Sequence, residues 1–282
     1  MRSLNFSSNK PLLYLVATPI GNIEEVSQRT KDILSSVDLI ACEDTRVTGK
    51  LLLLLGIKNE LISLREHNEV TVSHEIISKI KTGTKVAYVS DAGYPCISDP
   101  GSKLVKLCLE NDINVSPISG PNAALNALIA SGLCEDHFYF HGFLNAKESV
   151  RKEELKELSF KKETLIFYES PHRIGKTLSS MYEIFGDRKA CLARELTKKH
   201  EEFIRCGLKE MSEIDPETLI GEMVIVVEGL NSEEKPVINN TDLVNMVKAM
   251  IDSGLSTKDA IKKVSEITKV NKNTIYKLYH LN

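Results

Sequence analysis

Two strand–loop–helix units in direct succession constrain this chain most. A β-branched run, Val86 to Val89, leads into Ser90-Asp91-Ala92-Gly93-Tyr94-Pro95-Cys96-Ile97-Ser98-Asp99-Pro100-Gly101 and then a helix-like stretch from Ser102 to Glu110. A second run, residues 113–118, leads into Ser119-Gly120-Pro121-Asn122 and a helix-like stretch from Ala123 to Ser131. Strand, loop and helix repeated in this way predict an open, mainly parallel α/β sheet. Ligands of such sheets sit where the loops leave the carboxyl ends of the strands. Loops this rich in Gly, Pro, Ser and Asp predict a small-molecule pocket lined by backbone.

The chain's 282 residues are enough for two domains and a small appendage. A hydrophobic fraction of 42% and a charged fraction of 27% are ordinary for a soluble globular protein. No apolar run approaches a membrane span, and the longest, residues 51–55, reads as part of a buried helix. Met1-Arg2-Ser3-Leu4-Asn5-Phe6 lacks the apolar core of a signal peptide. The six cysteines contain no C-x-x-C pair, which predicts neither a zinc site nor a disulfide framework. Buried thiols in a reducing, cytoplasmic setting are expected.

Charge is unevenly distributed. The chain carries −3 overall, whereas residues 241–282 hold seven Lys against Asp242, Asp252, Asp259 and Glu266. A basic tail on an acidic body fits either an anionic partner or a solvated lysine-rich helix face.

Leu12-Leu13-Tyr14-Leu15-Val16-Ala17 reads as a buried first strand. Residues 24–35 read as a helix, 37–42 as a strand, 66–81 as a helix. From about residue 137 strands predominate, at 138–140, 164–168, 189–194, 202–206 and 222–227, with helices at 149–158 and 171–185. The expected organisation is an N-terminal α/β domain at 1–136, a second α/β domain at 137–230, a linker at 231–240 and a helical module at 241–282. In that module Ser256 and Asn271 can cap two helices, and Leu243, Val247, Met250, Ile251, Ala260, Ile261, Val264 and Ile275 form apolar stripes. Its outline fits a helix-turn-helix and a plain three-helix packing module equally.

The chain contains no G-x-G, so the Rossmann dinucleotide fingerprint is absent. Gly175-Lys176-Thr177 mimics the end of a phosphate-binding P-loop. Ser170 stands where that loop requires glycine, and Pro171-His172-Arg173 would crowd it, so an ATP site is disfavoured. Glu43-Asp44-Thr45-Arg46 follows a predicted strand and is either a site or a local ion-pair network. In Glu169-Ser170-Pro171-His172-Arg173, Ser170 can be a helix cap with Pro171 at the first helical position. No Ser/His/Asp arrangement and no metal-ligand spacing occurs.

Six segments considered together carry a resemblance. They are Val16-Ala17-Thr18-Pro19-Ile20-Gly21-Asn22, Cys42-Glu43-Asp44-Thr45-Arg46, residues 90–101, Ser119-Gly120-Pro121-Asn122-Ala123-Ala124, residues 167–173 and Gly221-Glu222-Met223-Val224-Ile225-Val226. In order and spacing they resemble the tetrapyrrole methylase superfamily, and within it the group that methylates a cytidine ribose 2′-oxygen of 16S rRNA. The resemblance implies a two-domain α/β fold with S-adenosylmethionine (SAM) bound in a cleft between domains, no metal, and usually a homodimer. It implies SAM contacts from Ala92, Gly93, Tyr94, Ile97, Asn122 and Ala123, with Glu169 and Met223 as weaker candidates. Tyr94 and Asn122 depart from the small residue and the serine expected there.

A ribose hydroxyl is a poor nucleophile, so a base or a polarising hydrogen bond is expected beside it. Asn22 is a candidate for positioning, and Glu43, Asp44 and Glu169 are candidates for the base. Arg46, Arg173, Lys269, Lys272 and Lys277 are candidates for holding RNA phosphates of the small ribosomal subunit. Two other readings compete: methylation of a tetrapyrrole or other small molecule, and a non-catalytic RNA-binding assembly factor.

Overall fold

The computed structural model describes residues 11–230, 240–268 and 270–281. These form an α/β protein with two five-stranded sheets. They divide into two compact units. One is the chain up to Asn126 together with Glu195–Glu201, and the other is Ala127–Arg194 with the chain from Glu202 onward. The expected linker, apart from Asn240, and Lys269 lie outside the described residues.

In the first unit β1 (Leu12–Val16), β2 (Leu39–Cys42), β3 (Glu60–Ser63), β4 (Val86–Val89) and β5 (Asn114–Ile118) pair entirely in parallel, in the order β3-β2-β4-β1-β5. Between them run α1 (Gln28–Ser36), α2 (Thr45–Leu55), α3 (Glu69–Lys81) and α4 (Ser102–Glu110), and α5 (Ala123–Ser131) follows β5. Every residue of β2 and β4 is buried. That is why both read as unbroken apolar runs: helices cover the two faces of the sheet. Along β4 the side chains alternate between faces. Val86 and Tyr88 pack with Ile76 and Ile80 of α3 and Leu104 of α4. Ala87 and Val89 pack with Leu34 of α1 and Leu52 of α2.

Local chemistry shifts several expected boundaries. Residues 24–35 are not one helix. Asn22 caps a single 3-10 turn, Ile23–Glu25, and Ser27 caps α1 by accepting from the Thr30 amide at 3.1 Å. The strand expected at 37–42 begins at Leu39. β3 has no counterpart among the expected strands, being four residues long at the sheet edge. The leucine run is not buried as a whole: Leu52 is, while Leu53 is 80% and Leu54 73% exposed. Successive helical residues point about 100° apart, so five in a row cannot all face one sheet.

In the second unit β6 (Phe138–Phe143), β7 (Thr164–Glu169), β8 (Lys189–Arg194), β9 (Glu202–Gly207) and β10 (Met223–Val227) form a mixed sheet in the order β6-β7-β10-β8-β9. Only β6 and β7 pair in parallel. Leu165, Phe167, Leu192 and Ile225 from the sheet pack with Leu155 of α6 (Glu148–Leu158), Leu178 and Met181 of α7 (Ile174–Phe185) and Met211 of α8 (Leu208–Ser212). Helix α7 begins at Ile174, not Pro171, and Pro171, His172 and Arg173 form the preceding turn. Among the cysteines, Cys42, Cys108 and Cys191 are buried and Cys134 is exposed; all six are free.

The tail folds as α9 (Asn240–Asp252), α10 (Thr257–Thr268) and α11 (Lys272–Leu281) around Leu243, Val247, Ala260, Ile261, Val264 and Ile275. Each of these buried Leu, Val and Ile side chains contributes about 1.5–3 kcal/mol. The expected caps form. Ser256 Oγ accepts from the Asp259 amide at 3.2 Å, and Asn271 Oδ1 accepts from the Asn273 amide at 2.8 Å. An ion pair, Lys156 to Asp242 at 3.3 Å, ties α9 to α6.

Candidate functional site

The loops after β4, β1 and β5 leave neighbouring strands on one side of the sheet, because these three strands are adjacent and parallel. Backbone bonds stitch the loops together. The Thr18 amide donates to Gly93 O at 2.9 Å and the Gly93 amide returns to Thr18 O at 3.1 Å. The Ala17 amide donates to Ile118 O at 3.2 Å. The Gly120 amide donates to the Tyr94 hydroxyl at 3.2 Å. Tyr94, an unexpected residue at its position, therefore ties the first loop to the second.

Glycine makes this approach possible. A Cβ on Gly120 would lie 2.8 Å from the Ala17 Cβ, and Gly93 adopts φ +75°. The long loop holds a strained path: Cys96 and Ser98 have φ of 70° and 63°. Such left-handed residues cost on the order of 1–3 kcal/mol each and persist only where the surroundings over-determine them. Two buried side chains do so here. The Tyr88 hydroxyl donates to Pro100 O at 2.7 Å. Glu69, buried, accepts from the Gly101 and Lys103 amides at 2.9 Å each, and Lys103 Nζ stands 3.3 Å away. The carboxylate thus caps α4 and anchors the end of the loop.

The expected cofactor residues of this unit all fall on these loops. Ala92 and Ile97 are exposed, and Tyr94, Asn122 and Ala123 are half-buried. Asn122 Oδ1 accepts from the Leu125 amide at 2.9 Å, so its side chain caps α5 and leaves backbone for a ligand.

The loop after β2 gathers carboxylates. Asp44 caps α2 by accepting from the Arg46 amide at 2.8 Å, and its carboxylate pairs with the Arg46 guanidinium at 2.5 Å. Arg46 holds the Asp44 carboxyl well below the usual carboxylate range. The local ion-pair network is therefore present, although the Arg46 side chain remains 82% exposed. The Asp44 amide donates to Asp91 Oδ1 at 3.1 Å, joining this loop to the one after β4. Glu43 is different. Its carbonyl is held by Ser63 Oγ at 3.0 Å and Arg65 Nε at 3.1 Å, while its carboxylate forms no hydrogen bond or ion pair among the described residues. Burial, then the Asp91 charge, push the Glu43 carboxyl upward. Burial, then Glu43 and Asp91, push Asp99 up to about 6. Arg65, Asp91 and Asp99 carried no role in the sequence reading; only their fold neighbours reveal them. Asn22 Oδ1 accepts from the Glu24 amide at 3.0 Å and is occupied as a cap.

The segment Glu195–Glu201 packs in this unit against the β1 loop. A Cβ on Gly21 would lie 2.5 Å from Lys198 Cγ and 2.9 Å from Thr197 Oγ1. Thr197 and Glu195 have φ of 66° and 52°, and Thr197 Oγ1 is buried without a partner. Sequence reasoning had no signal for this segment, because its neighbour Gly21 lies far away in the chain.

In the second unit Glu169 and Met223 sit opposite each other on β7 and β10. Met223 is part of the core. Glu169 is buried and fully engaged: it accepts from the Ser170 amide at 2.8 Å and Thr177 Oγ1 at 2.5 Å, and pairs with Arg173 Nε at 3.3 Å. Arg173 Nη2 also donates to Leu144 O at 2.6 Å. Arg173, a lone cation in the sequence, is thus a framework ion pair. Thr177 bonds Glu169, which removes Gly175-Lys176-Thr177 from any P-loop role. Lys272 and Lys277 lie exposed on α11. Among the described residues no group of side chains could hold a metal ion, and no helix is long and apolar enough to cross a membrane.

Comparison with known proteins sharpens this. The chain is 45% identical over 99% of its length to a Bacillus subtilis protein named ribosomal RNA small subunit methyltransferase I, covering 97% of that protein. A Haemophilus influenzae protein of the same name is 44% identical, with 96% of this chain and 97% of the relative covered. Among solved structures, a cobalt precorrin-4 methyltransferase aligns with TM-score 0.59 at 15% identity over 77% of this chain and 94% of that one. A diphthine synthase aligns with TM-score 0.58 at 13% identity over 77% and 89%. The profile of the tetrapyrrole (corrin/porphyrin) methylases matches residues 12–212. With the first sheet, four of the five strands of the second and all the stitched loops inside that span, the chain belongs to the tetrapyrrole methylase family and is a methyltransferase.

Proposed function

We propose that the chain transfers a methyl group from SAM to the ribose 2′-oxygen of a cytidine in 16S rRNA of the small ribosomal subunit, as a cytoplasmic homodimer. One observation carries this reading: the likeness to rRNA small subunit methyltransferases extends over nearly the whole of both chains, tail included. The loops after β4, β1 and β5 fit the donor. Ala92 and Ile97 are exposed and Ala123 half-buried at the carboxyl ends of adjacent strands, while Gly93, buried and bonded to Thr18, holds the loop close to its neighbour. SAM, when bound, supplies a sulfonium methyl already activated for attack.

The chain's own work is alignment and proton removal. Glu43 is the proposed base, because its carboxylate is unengaged and its affinity for a proton is raised by burial and Asp91. SAM would give up the methyl group and leave as the neutral thioether, and the Glu43 carboxylate would accept the proton of the 2′-hydroxyl. Asp44 and Arg65 hold the Glu43 loop. Asn22 and Glu169 act as framework, since the side chains of both are engaged elsewhere. Arg46, Lys272 and Lys277 face solvent, where RNA phosphates would reach them.

Tritium transfer from labelled SAM into small subunits, with the modified nucleoside identified by mass spectrometry, tests the proposal. The expected product is a 2′-O-methylcytidine. No transfer, or methylation of a base, would overturn it.

A further inference from the structure

The second unit contains a cavity of about 500 Å³ between α6, the turn before α7 and the first turns of α7, with α8 and Pro216 closing one side. Nothing in the proposed reaction uses it. Three cations line it: Arg151, Lys152 and Lys176.

Arg151 is the unusual one. It is 2% exposed, yet it forms no ion pair among the described residues. Its Nε donates to Ser180 Oγ at 3.2 Å and its Nη1 to Ala146 O at 3.3 Å, both neutral acceptors. Its Nη2 donates to no acceptor among the described residues. A guanidinium buried against neutral acceptors alone is unfavourable unless an anion completes it.

The end of α7 adds donors of the same sign. The N-cap residue Arg173 makes no side-chain cap bond to this twelve-residue helix, and the Ile174, Gly175 and Lys176 amides have no acceptor among the described residues. Such amides and the helix dipole favour an anion. Gly175 lines the cavity and packs against Pro216, where a Cβ would lie 2.5 Å from the ring Cγ. Lys176 is exposed at the rim and forms no ion pair among the described residues, although its charge reaches Glu148. The cavity's two carboxylates, Glu148 and Glu183, are both spent on Lys152, at 3.1 and 2.7 Å. Three cations against two carboxylates leave the lining one positive charge in excess, with Glu148 also feeling Arg151 and Lys176, beside open amides.

We infer that this cavity is a phosphate subsite, and that the phosphate belongs to the backbone of the RNA substrate. The inference rests on the proposed rRNA reading for its source of phosphate. It places an RNA contact on the second unit, away from the cofactor loops and from the basic tail.

The test uses the full chain with Lys176→Ala and Arg151→Gln. Each is expected to weaken binding of small subunits about three- to tenfold and to lower the slope of log affinity against log salt by about one, with SAM affinity unchanged. Arg151→Gln can fail to fold; Lys176→Ala alters only an exposed side chain and decides the matter alone. Unchanged affinity and slope in Lys176→Ala would overturn the inference. In parallel, inorganic phosphate is titrated while the Gly175 and Lys176 amides are followed by NMR. Amide shifts together with weakened subunit binding in the variants support the RNA assignment. Amide shifts with unchanged subunit binding mean a free phosphorylated ligand and also overturn it. Binding is read without methyl transfer, so a failure here is distinct from a failure of the proposed activity.

Discussion

Gly101→Ala is the sharpest perturbation of the cofactor loops. Gly101 adopts φ +119°, where an L side chain is strained. A new Cβ would land on Tyr88 Cε1, 2.8 Å from Cys96 Sγ and 3.1 Å from Tyr88 Cδ1. Tyr88 cannot yield. It is fully buried on a central strand and its hydroxyl is bonded to Pro100 O. Backbone strain costs about 1 kcal/mol, and overpacking a dense core costs about 1–3 kcal/mol more. The expected loss is therefore about 2–4 kcal/mol, felt first as displacement of the loop that carries Ala92, Gly93 and Ile97. Gly56→Ala is the matched control. Gly56 also has positive φ, +70°, but nothing lies within 4 Å of the added Cβ, so only the strain of about 1 kcal/mol applies. Chemical denaturation gives the stability difference, and calorimetry gives SAM affinity. Gly101→Ala is expected to lose at least a kcal/mol more than Gly56→Ala and to bind SAM at least tenfold more weakly. Equal stability losses in the two variants, with SAM affinity intact in both, would refute the packing argument.

Two further predictions follow from charge. Asp99 has a folded pKa of about 6, above its unfolded value. The folded state therefore holds that proton more tightly, and the carboxyl destabilises the fold as pH rises from about 4 through 6. Asp99→Asn should match the wild type in thermal stability near pH 4 and exceed it by pH 7; a constant difference across that range would show that Asp99 is not perturbed. A truncation after Leu230 should keep SAM affinity, because the cofactor loops lie before it. It should bind small subunits more weakly and with a shallower salt slope, because Lys272, Lys277 and the other tail lysines go with it; identical binding curves would make the tail a packing element.

The sequence by itself determined the alternation of strands and helices, because burial on both faces leaves unbroken apolar runs such as Leu39–Cys42 and Val86–Val89. It determined the positions of the Gly-rich loops and the caps at Ser256 and Asn271, where the chemistry is local. Tertiary structure alone decided what touches these segments. Strand order brings the loops after β4, β1 and β5 side by side, although Thr18 and Ser90, at the starts of two of them, are 72 residues apart in the chain. Leu53 and Leu54 face solvent because one sheet covers only one side of α2. Arg173 and Glu169, four residues apart on a turn, meet as an ion pair beside a buried strand end. Asp91 raises the Glu43 and Asp99 carboxyls, and Glu43 raises Asp99, only once the sheet has brought their loops together. Arg151, an ordinary helix residue in the sequence, became a buried cation because α7 packs over it. Local propensity acts over a few residues, whereas burial and charge coupling act through space, and only the folded chain sets those distances.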